Sequence, residues 1–118
     1  MKFDKFTIVL LVLRPDAPRL DGSEAAALQD AHLAHLAKLY DAGYLLAAGP
    51  LLGPEDHELR GLSIFLTDPE KTRMLSEQDP AVQAGRFSLK ITPWMVPSGA
   101  IDFKRAHFPS SSSEADRD

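Results

Sequence analysis

The chain has 118 residues, 44% of them hydrophobic and 25% charged, with a formal net charge of −4. That is enough for one domain with a core and too little for two. The 13 Lys and Arg form no basic block and no basic–aromatic pattern, which argues against nucleic acid as a partner. With no Cys, disulfides, thiol nucleophiles and thiolate metal sites are all excluded.

The first predicted element is a strand over Phe6–Leu13, β-branched and apolar on both alternating faces, as in a strand covered on both sides. It is far too short to span a bilayer. It follows Lys2 and Lys5, as a signal-peptide core would, but Arg14-Pro15-Asp16 comes next and no small-residue cleavage site does. The expectation is a soluble cytoplasmic protein with no membrane partner. Pro15, Pro18 and Gly22 make the following segment a loop. Ser23 is the expected cap of a helix carrying Glu24 in its first turn and ending near Asp41 before Gly43. At about 100° per residue, Ala25, Leu28, His32, Leu33, Leu36, Leu39 and Tyr40 share one arc, with Lys38 and Asp41 opposite. His32 falls inside the apolar arc and His35 on its margin.

A second strand is expected over Tyr44–Leu52, then a polar loop over Gly53–Arg60, then a third strand in which Leu62, Ile64 and Leu66 alternate with Ser63, Phe65 and Thr67. Asp68-Pro69-Glu70 supplies cap, first-turn proline and acid for a second helix running to Gln78. Asp79-Pro80 opens a turn that Gly85 stops, and a fourth strand carries Phe87, Leu89 and Ile91. The order β-α-β-β-α-β defines a ferredoxin-like α+β plait: a four-stranded antiparallel sheet with two helices on one face. Its first and third strands are central. The prolines Pro50 and Pro93 then fall in edge strands, where a missing N–H is tolerated. The first strand is apolar on both faces, and Phe65 is expected on the helix-free side. An apolar sheet face of that size predicts a homodimer packed face to face. Residues 1–97 form the expected domain and 98–118 an extension. In it Ile101-Asp102-Phe103 packs on a neighbouring subunit, and the polar run from Ser110 to Asp118 is disordered.

His32 is the first candidate for chemistry, since imidazole moves protons near neutral pH. The plait sets its two helices side by side, so Asp79, after the second helix, can reach His32 and fix its tautomer. The competing readings are a core histidine bonded to a backbone carbonyl and an Asp-Pro turn without chemistry. His32 and His35, at i and i+3, are too few for a metal without Cys, so no metal is expected. Gly49 and Pro50 at a strand end, Ser63 and Trp94 are the candidates for contact with a ligand.

These features together resemble the YCII-related (YciI-like) family of the dimeric α+β barrel superfamily. The matching residues are Ala31-His32-Leu33-x-x-Leu36, Gly43-x-Leu45-Leu46-x-Ala48-Gly49-Pro50, Gly61, Asp79-Pro80-x-x-x-Ala84-Gly85 and Ile91-x-Pro93-Trp94. The chain departs from the family pattern at Gln29, where members often carry Arg, and at Ala81, where they often carry an aromatic residue. The resemblance implies a dimeric barrel whose catalytic pair falls on His32 and Asp79. It also implies proton chemistry of the elimination or isomerisation type on small cyclic or aromatic compounds. The resulting expectation is a lyase or isomerase acting on a small-molecule ligand without metal or organic cofactor. The alternative is a non-enzymatic ligand-binding or dimerisation module of the same fold.

Overall fold

A computed structural model describes residues 1–115. Eight elements follow one another: β1 (Phe3–Leu13), α1 (Gly22–Asp41), β2 (Leu45–Pro50), β3 (Leu59–Phe65), α2 (Pro69–Glu77), α3 (Pro80–Gln83), β4 (Phe87–Pro97) and α4 (Ser112–Ala115). The strands form one antiparallel sheet in the order β2-β3-β1-β4, with β1 and β3 central. Pro50 lies in edge strand β2, and Pro93 and Pro97 lie in edge strand β4, where their missing N–H groups break no central ladder.

Alternation divides the sheet cleanly. Thr7, Val9 and Leu11 of β1 sit opposite Phe65, Ser63 and Gly61 of β3. The same three β1 residues sit opposite Pro93, Ile91 and Leu89 of β4. Val9, Leu11, Leu45, Phe65 and Phe87 meet Leu39 and Tyr40 of α1, Leu75 of α2 and Ala81 of α3 in the core. Phe65, at 2% exposure, therefore faces the helices, and the expected helix-free orientation is corrected. Every apolar residue in 62–66 fits a strand, but only pairing decides which parity faces the helices. Leu62 and Ile64, with Ile8 and Leu10 opposite them, take the other face.

The start of the first helix also moves. The cap of α1 is Asp21, not Ser23: its carboxylate accepts from the Glu24 backbone N–H, and Glu24 accepts in return from the Asp21 N–H. This reciprocal capping box satisfies two otherwise orphaned donors and outcompetes a hydroxyl two residues on. The start of the helix, Gly22–Ala27, is exposed, so Ala25 lies outside the buried arc.

The extension packs on its own chain. Phe103 meets Phe6 edge to face at 5.2 Å. Further on, Phe108 stacks on Tyr40 at 3.9 Å between ring centroids, and the Ala106 N–H donates to the Tyr40 hydroxyl. Ser112 donates through its backbone N–H and its hydroxyl to Asp30 on α1. The low-complexity polar run expected to be disordered thus finds, through Ser112, an acceptor 82 residues upstream. The remainder of that expected disorder, residues 116–118, lies outside the described residues.

Candidate functional site

Each member of the His32–Asp79 pair is set by its own local logic. His32 stands on the sheet-facing side of α1 and is 8% exposed; Asp79 is 3% exposed. Asp79 is the N-cap of α3, its Oδ1 accepting the Ala81 backbone N–H at 2.9 Å. Pro80 at the first helical position leaves no further donor to compete there. The second oxygen is free to accept from His32, and the Nδ1–H of His32 donates to Asp79 Oδ2 at 2.7 Å. A carboxylate only accepts, so this bond fixes the proton on Nδ1 and leaves Nε2 with a lone pair. Among the described residues Nε2 has no protein partner, and it is absent from the buried unpaired polar atoms, of which Ser76 Oγ is the sole case there. It is open to solvent.

That opening is a cavity of about 670 Å³ between α1, the β2–β3 end of the sheet and the C-terminal segment. His32, Leu33 and Leu36 line it from α1, Ala48, Gly49 and Pro50 from β2, and Gly61 and Ser63 from β3. Ser63 is 6% exposed, and among the described residues its hydroxyl is neither bonded nor sealed off, so it too opens into this space. Gly61 packs closely on β1: a Cβ there would stand 3.2 Å from Leu11 Cδ1, so that side chain would have to shift to admit it. Phe108, Pro109, Ser112 and Ala115 complete the wall.

Of the residues singled out in the sequence, His32, Gly49, Pro50 and Ser63 meet at this cavity, and Asp79 lies behind His32. Trp94 does not. It sits opposite Phe6 in the β1–β4 ladder and packs on that ring at 6.3 Å, away from the cavity. Parity in β4 decides this, because Phe87 takes the cavity-facing side and Trp94, seven residues on, takes the other. His35 is spent on structure, its Nε2 lying 3.0 Å from the Leu75 carbonyl oxygen.

Sequence reasoning passed over Arg60 and His57, assigned to a polar loop, as well as Arg86, Phe108, Pro109, Ser112 and Ala115; all line the cavity. The ring nitrogens of His57 sit against the carbonyl oxygens of Pro54 and Leu51. The signal available for Arg86 was its place after Gly85, whose φ of +81° ends the α3 turn and launches β4. Among the described residues no group of three or more His, Cys, Asp or Glu could hold a metal ion, and no helix is long and apolar enough to cross a membrane.

A family model described as the YCII-related domain matches residues 7–95. Among solved structures, 5-chloro-2-hydroxyhydroquinone dehydrochlorinase (TftG) from Burkholderia phenoliruptrix AC1100, in complex with 2,5-dihydroxybenzoquinone, is similar at 22% identity and a TM-score of 0.55. The match covers 75% of this chain and 92% of that one. A dimeric protein of unknown function and ferredoxin-like fold from Bacteroides fragilis NCTC 9343 is similar at 18% identity and a TM-score of 0.46, covering 78% of this chain and 95% of that one. No curated protein matches the sequence.

Proposed function

The chain belongs to the YCII-related domain family, and we propose that within it this protein is a small-molecule enzyme of the lyase or isomerase type, with His32 as general base and acid. One observation carries the reading: a buried imidazole is held on one nitrogen by a capped carboxylate and is open on the other to a cavity. Nε2 takes a proton from an acidic C–H or O–H of the bound molecule. The imidazolium so formed is stabilised by Asp79, which keeps its own bonds throughout. The same Nε2–H then returns the proton, either to another atom of the substrate or to a departing group. Ser63, Gly49 and Pro50 shape the space in which the molecule sits. Loss of hydrogen chloride, the reaction named for the Burkholderia protein, is proton chemistry of this class, and we carry over the class alone.

We also assign a homodimer formed through the helix-free sheet face. Support comes from Ile8, Leu10, Leu62 and Ile64, which share that face and belong to no part of the helix-side core. Water against such a patch is unfavourable, and a second copy is the economical cover.

The test is a screen of ring ketones and chlorinated hydroquinones in D₂O, following C–H exchange by NMR and chloride release. Wild type should accelerate at least one compound, and His32→Asn should remove about 10²-fold or more of that rate in a folded protein. Equal rates for wild type and His32→Asn across the screen would overturn the enzymatic reading. Binding without conversion would instead favour a ligand-binding module.

A further inference from the structure

The chain as a whole is acidic, with 17 Asp and Glu against 13 Lys and Arg. Its cavity has the opposite character. Arg60, Arg86, His32 and His57 line it, and among the described residues no Asp or Glu does. Among the described residues neither arginine forms an ion pair. Burial first, and the nearby Arg60 charge second, push the Arg86 guanidinium below its ordinary value. Two half-buried guanidiniums facing one space, with no carboxylate between them among the described residues, are costly unless something anionic joins them.

Both are also held in place. Arg60 donates through Nε to the His57 carbonyl at 2.7 Å and through Nη2 to the Glu55 carbonyl at 2.6 Å. A guanidinium has five N–H groups, so three remain for a ligand. Arg86 lies against the Phe87 ring at 5.1 Å, with its backbone N–H bonded to Ala81 at the end of the helix that Asp79 caps. The two arginines thus come from β3 and from the α3–β4 turn, and face one space together with His32.

We propose that Arg60 and Arg86 form an anion-binding subsite beside His32, selecting compact apolar molecules that carry an ionised oxygen group such as a carboxylate or phenolate. Planar oxyanions match guanidinium geometry, and an apolar wall strengthens the attraction. Leu33, Leu36 and Phe108 take the apolar body. The pair supplies the positive charge that Gln29, which also lines the cavity, does not. The inference rests on the reading of this cavity as a substrate site and names the class of substrate.

Calorimetric titration of the full chain with benzoate and salicylate, each against its neutral amide, tests it. The acids should bind about tenfold or more tighter than the amides, and added NaCl should erode that preference. Arg86→Gln should abolish the preference, and Arg86→Lys should restore part of it. Arg60 also braces the Glu55–His57 loop, so Arg86→Gln decides the matter if Arg60→Gln lowers Tm. Equal or absent binding of acid and amide, or a preference that survives Arg86→Gln, would overturn the inference. His32-dependent exchange without anion preference removes this inference alone. Anion preference without His32-dependent exchange removes the acid–base reading alone.

Discussion

At the scale of the residue, His32 and His35 differ by three positions and by their whole fate. The helical wheel separated them, because one lay inside the apolar arc and the other on its edge. His35 spends a ring nitrogen on the Leu75 carbonyl, whereas His32 spends one on Asp79 and keeps the other. Position after the second helix was enough to bring Asp79 within reach, so this half of the site was legible. Arg60 and Arg86 were not, since a charged residue in a loop or turn carries no periodic sign of which way it points. Asp79→Ala strips the bonds to both His32 and the Ala81 N–H, and should cost about 1–3 kcal/mol in urea denaturation. Asp79→Asn should cost less stability yet lower His32-dependent exchange by about 10²-fold or more, as an amide fixes the imidazole tautomer poorly. Unchanged exchange in Asp79→Asn would make Asp79 merely a cap.

At the scale of the element, the strands and helices followed from alternation, caps and proline placement. The parity of β3 did not, because Phe65 and Leu66 are both apolar and either could face inward. Phe65→Ala should therefore destabilise by about 3–5 kcal/mol, measured by thermal or chemical unfolding. The C-terminal segment was the larger surprise. Its composition resembles a solvated tail, but Tyr40 and Asp30 hold it against α1. Its own brace is Glu114, whose carboxyl is lowered from 4.5 to about 2, first by the His107 hydrogen bond and then by the Ser110 N–H. A depressed carboxyl stabilises the folded form above its unfolded value, and the contribution is lost as pH falls through the folded one. Amide-exchange protection of Ser110–Ala115 should accordingly fall between about pH 4.5 and pH 2. Protection that is flat over that range would contradict the brace.

At the scale of the molecule, one sheet separates two tasks. Its helix side holds the core and the cavity, and its other side presents Ile8, Leu10, Leu62 and Ile64. Ile64→Asp should shift sedimentation from dimer to monomer, while a dimer-sized species that persists would place the interface elsewhere. The central claim is that His32 and Asp79 act as one unit on a bound molecule. The most direct measurement is a double-mutant cycle on C–H exchange with His32→Asn, Asp79→Asn and the double variant. Groups acting as a unit are strongly non-additive, so the double variant should be no slower than His32→Asn alone. Losses that multiply, or rates that never depart from wild type, would contradict the pair.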